Sequence, residues 1–196
     1  MLRLSRKNWR EFLKIESNWV IKTLTISDIF ILSGFGLISP IFAVFITDQI
    51  EDGSVEVAGL AAMIYLLTKS LGQLPFAQII DKIRGEKDDF WSMFIGSIAT
   101  SLVPLFYLFA RKPIHVYSIQ FFYGLAQALT FPSWMAIFTR HVDARREGTE
   151  WGIYYTLTDL SGAGAAAIGG LIANYFGFAP LSVSYTHLTL PTNREV

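Results

Sequence analysis

The chain has no cysteine, which excludes disulfides, thiol nucleophiles and cysteine metal centres at once. It also lacks net charge, because 16 Lys and Arg balance 16 Asp and Glu. Nothing in that balance points to nucleic acid, and no acidic excess marks a solvating tail. The three histidines, His115, His141 and His187, are scattered without the spacing of a metal site. No metal and no other cofactor is expected. The apolar stretches hold no HExxH run, no Ser/His pairing and no paired carboxylates, and the chain has no Walker-type glycine loop. No catalytic residue is therefore assigned, and an enzyme or an ATP-driven pump is not expected.

Charge of either sign is scarce. Only 16% of residues are charged against 52% hydrophobic, and mean hydropathy is +0.41, which lies outside the range of soluble domains. Five apolar runs, at residues 26–47, 57–80, 90–110, 114–139 and 152–176, each come near the ~20 residues that a helix rising ~1.5 Å per residue needs to cross ~30 Å of hydrocarbon. The expected fold is an all-α membrane protein with five complete spans and a truncated sixth. Gly34, Gly36, Pro40, Pro75, Pro104 and Pro132 fall inside these runs. They mark expected kinks, tolerated in a membrane because neighbouring groups re-satisfy the freed backbone.

Residues 1–24 carry Arg3, Arg6, Lys7, Arg10, Lys14 and Lys22, with Trp9, Phe12, Leu13 and Trp19 at helical spacing. That pattern predicts a cytoplasmic, interfacial amphipathic segment. The run that follows is too long for a signal peptide and lacks a cleavage site, so retention is expected. Basic residues recur in alternate loops, first Lys82, Arg84 and Lys87, then Arg140, Arg145 and Arg146. The other side has Arg111 and Lys112, and its first loop is acidic, with Asp48, Glu51, Asp52 and Glu56. Positive charge inside places the N-terminus in the cytoplasm of a multi-pass cell-membrane protein. Short loops then predict an up-down antiparallel bundle over residues 25–181.

The loop after the second run reads Ala77, Asp81, Lys82, Arg84, Gly85 and Lys87 in order. It resembles the loop signature of the major facilitator superfamily, with Ala77 in place of the usual Gly and one extra residue before Gly85. A carboxylate at a helix end, followed by a Gly turn and cations, can bond to facing helix ends and latch one conformation. The fifth run, from Gly162 through Gly164, Gly169 and Gly170 to Gly177, resembles that family's glycine-rich fifth helix. Small residues at Gly162, Ala166 and Gly170, with Gly169, are expected to admit a close neighbour. The Gly-Pro pair of the family's drug antiporters is absent, since Ala165 and Ala166 stand there. The fourth run, with Gln120, Gly124, Gln127 and Pro132, is also similar, although Gln120 stands where many members have Arg. The resemblance implies secondary transport of a small solute, with the lipid bilayer and a missing C-terminal transporter half as partners.

A charge near mid-bilayer costs at least ~2.5 kcal/mol on insertion scales, so each one needs a reason. Lys69 lies near the centre of the second run, where it could meet a carboxylate or an anionic solute group, or form a structural bond with a neighbour such as Gln127. Asp159 is a candidate proton or cation site, a candidate partner for Lys69, or a structural residue. Gln120 and Gln127 are candidates for solute contact, favoured by the cavity-lining place of the family's fourth helix. Asp28, near the start of the first run, is expected to cap a helix N-terminus. Phe121, Phe122, Tyr123, Phe131 and Trp134 either line a pocket or face lipid. Trp9, Trp19, Trp91 and Trp151 fit an aromatic belt.

Residues 182–196, SVSYTHLTLPTNREV, are polar where a sixth span is due. They resemble translated sequencing-adapter read-through, so this tail is expected to be non-native. The alternative is a small autonomous membrane scaffold or a homodimeric half-transporter. Sequencing source DNA across the Pro180 to Ser184 junction is expected to return an apolar sixth helix and further spans. A frame that closes at Val196 would favour the alternative.

Overall fold

The computed structural model describes residues 18–82 and 85–176. The described residues are helical, with no strand. Helix α1 runs Trp19–Ile38, a 3-10 turn occupies Ser39–Ile41, and α2 runs Phe42–Gln49. Four long helices follow: α3 (Val55–Lys82), α4 (Lys87–Tyr107), α5 (Pro113–His141) and α6 (Glu147–Phe176). Helices α1, α3, α4 and α6 are long and apolar enough to cross a membrane. At 29 residues α5 is long enough. Its Tyr117, Gln120, Tyr123 and Gln127 dilute the apolar character that the other four carry.

The first apolar run is not one helix. It breaks at the 3-10 turn containing Pro40, where proline cannot donate the helical hydrogen bond. The helices continue through Pro75, Pro104 and Pro132. Trp19 to Leu24, read from the sequence as the end of an interfacial segment, form the opening turns of α1. The rest of that segment, Arg84, and residues 177–196 with the expected sixth span and foreign tail lie outside the described residues.

Chain direction and packing separate here. Helix α1 packs along α6, and α5 packs against both α3 and α4. The contacts pair Asp28 with Tyr154 and Gly36 with Gly162 and Ala165, so α1 and α6 run parallel. Likewise Gly124 meets Tyr65 and Thr68 while Gly72 meets Ala128, so α3 and α5 run parallel. Among the described helices only α4 and α5 are antiparallel neighbours with an extensive face, joined by Thr100 to Gln127 and Asp89 to Arg140. The up-down alternation expected from short loops thus coexists with tight pairing of helices that are not consecutive.

Close approach explains that pairing. A Cβ at Gly36 would sit 2.6 Å from the Gly162 carbonyl oxygen, and one at Gly124 would sit 2.8 Å from the Tyr65 carbonyl oxygen. Without side chains there, the backbones meet and dispersion contacts replace the hydrophobic drive that lipid does not supply. On α6 the contacting positions are Gly162, Ala165 and Gly169, the last against Leu37, whereas a Cβ at Gly162 or Gly170 would meet nothing within 4 Å.

Two apolar clusters close the ends of the bundle. Phe45, Ile46, Ala61, Val103, Tyr107 and Val116 fill one end, where the Glu51 N–H also donates to the Arg111 carbonyl at 2.8 Å. Ile21, Leu24, Trp134, Phe138 and Tyr154 fill the other. Outward, Leu71 is 75% and Phe109 76% exposed, as expected where lipid is the solvent. Gly36→Leu is expected to wedge α1 from α6 and cost about 1–3 kcal/mol, read as a lower melting temperature in detergent. An unchanged melt would show that the two helices tolerate a side chain between them.

Candidate functional site

Between the end clusters lies a cavity of about 490 Å³, walled by α1, α3, α4 and α5 and touched by Tyr154 of α6. The pairing described above makes it. Because α1 adheres to α6 and contacts α5 only lightly, space remains between α1 and the three-helix group. Among the described lining residues only Asp28 and Lys69 have side chains of the acidic or basic type. Polar atoms come also from Tyr65, Ser97, Thr100, Ser101, Tyr123, Gln127, Thr130 and Tyr154.

Lys69 sits at the middle of α3, half-buried. Its ammonium lies 4.8 Å from the centre of the Phe131 ring, where the negative face of the ring attracts a cation. It forms no ion pair among the described residues. Phe131 therefore holds the ammonium without neutralising it.

Asp28 departs from the capping expectation. The N-cap of α1 is Asn18, whose Oδ1 accepts from the Val20 N–H at 3.1 Å. Asp28 stands well inside the helix, faces the cavity, and accepts a hydrogen bond from the Tyr154 hydroxyl at 2.8 Å. Sequence position alone suggested a helix start because the basic turns before residue 26 were read as a separate segment. The signal that could have found it is a carboxylate nine residues into one continuous helix.

The other candidates separate. Gln127 lines the cavity and donates from Nε2 to Thr100 Oγ1 at 3.4 Å. Gln120 is 7% exposed, does not line the cavity, and its Oε1 has no hydrogen-bond partner among the described residues. Asp159 is exposed on α6 outside the cavity and is not brought to Lys69. Tyr123, Phe131 and Trp134 line the cavity, while Phe121 and Phe122 point outward. Trp19 and Trp91 are exposed as a belt would have them, whereas Trp151 packs on Phe138 with ring centres 4.5 Å apart.

An aromatic layer bounds the cavity towards α2. Phe35 stacks on Tyr123 at 5.7 Å and Tyr123 on Tyr65 at 4.6 Å, so one ring from each of α1, α5 and α3 closes that end. The opposite end reaches Thr23 and Met93, near the helix ends that carry the basic loops.

Those loops hold the clearest ion pair. Arg140, at the end of α5, bonds the carboxylate of Asp89, which is fully buried in the first turn of α4. That bond, and the nearby carboxylates of Glu86 and Asp88, raise the proton affinity of Arg140 further. His141 lies 3.8 Å from Glu86. Within the loop signature, Asp81 and Lys82 end α3, Gly85 takes φ 132°, and Lys87 begins α4. The positive φ is one that only glycine adopts freely. Arg140→Gln is expected to cost about 3 kcal/mol, because it strands a buried carboxylate; the low end of the range applies since Arg140 is 39% exposed. Thermal melts of this variant and of the double variant with Asp89→Asn check it: the double variant should recover most of the loss.

Comparison with known proteins adds two findings. The family described as Major Facilitator Superfamily matches residues 24–186, all the described helices except the first turn of α1. A protein of Escherichia coli (strain K12) named "Probable galactarate/D-glucarate transporter GudP" is 28% identical over 111 residues, covering 56% of this chain and 25% of that protein. The matched stretch thus spans a quarter of that relative's length. No solved structure matches.

Proposed function

The chain belongs to the major facilitator superfamily, and on that premise we propose that it carries a small solute across the cell membrane by secondary active transport. The observation that carries this reading is the cavity, whose acidic, basic and polar side chains lie between the helices of a bundle with an apolar exterior. Polar groups at that depth are costly unless a ligand or water uses them. In this reading α1 with α2, and α3, α4, α5 and α6, are five spans with the N-terminus in the cytoplasm. The Phe35–Tyr123–Tyr65 layer then faces outward, and the Thr23 and Met93 end is the cytoplasmic mouth.

Transport proceeds by alternating access, with this bundle rocking against a second one around a central site. The small-residue face of α6 left open at Gly162, Gly164 and Gly170 suits a closely packed partner helix from that second half. The loop Asp81, Lys82, Arg84, Gly85 and Lys87 latches one of the two states. Lys69 is the solute contact: an ammonium held by a ring and by no carboxylate is available to an anionic group. The sugar-acid name of the E. coli relative supports a carboxylated solute.

The test is a stability screen of the full chain in lipid nanodiscs against neutral, cationic and carboxylated small solutes. Carboxylated solutes alone are expected to raise the melting temperature, and Lys69→Met is expected to weaken that binding about tenfold or more, the worth of one charge-assisted contact. Stabilisation confined to neutral or cationic solutes, or unchanged by Lys69→Met, overturns the assignment.

A further inference from the structure

The acidic and the basic side chain of the cavity are held apart. Lys69 rests over Phe131 and Asp28 bonds Tyr154, and no ion pair joins them. Their depths can be compared from the aromatic layer as a common level. Asp28 is seven residues before Phe35 on α1, roughly 10 Å below the layer at ~1.5 Å per residue. Phe131 is eight residues beyond Tyr123 on α5, roughly 12 Å below it by the same rise. Phe131, over which the ammonium sits, and Asp28 therefore occupy similar positions along their helices on different walls of one cavity.

That arrangement selects by charge pattern. A dicarboxylate would bring its second anion towards Asp28, and a neutral solute would leave both protein charges desolvated without partners. A molecule with one carboxylate and one ammonium meets both and adds no net charge to a low-dielectric space. Resting on the proposed transport reading, we infer that the cavity takes a small amino-carboxylate zwitterion, its carboxylate on Lys69 and its ammonium on Asp28. Tyr154 keeps Asp28 aimed at the solute. The Tyr65 and Tyr123 rings cap the site, limiting it to small molecules.

The unknown span between the charges is measured by the probe series itself. Glycine, β-alanine, γ-aminobutyrate and 5-aminovalerate place the two charges at increasing separation, and the matching ω-hydroxy acids keep the carboxylate while losing the cation. Binding to the full chain in lipid nanodiscs would be read by thermal shift and by displacement of the best labelled member. One amino acid is expected to bind best, its hydroxy counterpart about tenfold weaker, the effect of losing one charge-assisted contact. Asp28→Asn should abolish the difference between the pair while leaving the hydroxy acid bound, which also shows that the variant is folded. Lys69→Met should weaken both. Hydroxy acids or D-glucarate binding as well as, or better than, every amino acid would overturn the inference and leave the transport reading standing. Binding of none of these carboxylates would overturn both.

Discussion

An ammonium in the middle of an apolar helix has to find something other than lipid, and much of this bundle follows from where Lys69 finds it. Turning α3 so that Lys69 meets Phe131 also turns Leu66, Leu67, Leu71 and Leu74 outward and presents Tyr65 to Tyr123. Gly124 then lies under Thr68 and the Tyr65 carbonyl, so α3 seats against α5 at backbone distance. One rotational setting satisfies the charge, the lipid face and the packing face together. Had the charge pointed outward, its cost would have opposed the whole helix rather than one contact.

The second constraint is the glycine contact between α1 and α6. Gly36 on Gly162 and Gly169 on Leu37 draw α1 away from the three-helix group, and the resulting gap is the cavity. The same contact carries Asp28 to Tyr154. Both cavity charges are therefore set by close helix approaches, one on each side of the gap. Neither depends on a loop, and a site on rigid elements keeps its geometry better than one on connecting segments.

How much of this could be read from residues alone varied with the physics involved. Helix existence was legible because an apolar run of spanning length needs no partner to be recognised; α3 and α6 appear over Val55–Lys82 and Glu147–Phe176, a few residues wider than their apolar runs. Lys69, Gln120 and Gln127 stood out as candidates for solute contact because charge and amide groups are rare at that depth; Lys69 and Gln127 line the cavity and Gln120 does not, a difference that rarity alone does not reveal. The placement of Asp28 in the cavity wall was not legible, since it depended on whether the basic turns before it belong to the same helix. Nor were the contacts of Gly72 and Gly124, which needed knowledge of which helices adjoin. The repeat of Gly162, Ala166 and Gly170 marked the right helix, yet small-residue spacing cannot say which of several small faces meets α1.

Two carboxylate and cation sets in this chain make an instructive contrast. Asp89 and Arg140 bond each other at a helix end, where one partner reaches water and the pair clamps α4 to α5. Their charges are consumed by each other, so the pair has little attraction left for a third party. Asp28 and Lys69 have the same chemistry, and each is instead steadied by an aromatic residue, Tyr154 or Phe131. A hydroxyl or a ring face can orient a charge while neutralising only a fraction of it. Aromatic support in place of ionic support is what keeps a charge both ordered and available, which is the condition a reversible binding site has to meet. The distinction rests on partner chemistry rather than on burial, since the fully buried carboxylate of the two sets is the one that is paired with a cation.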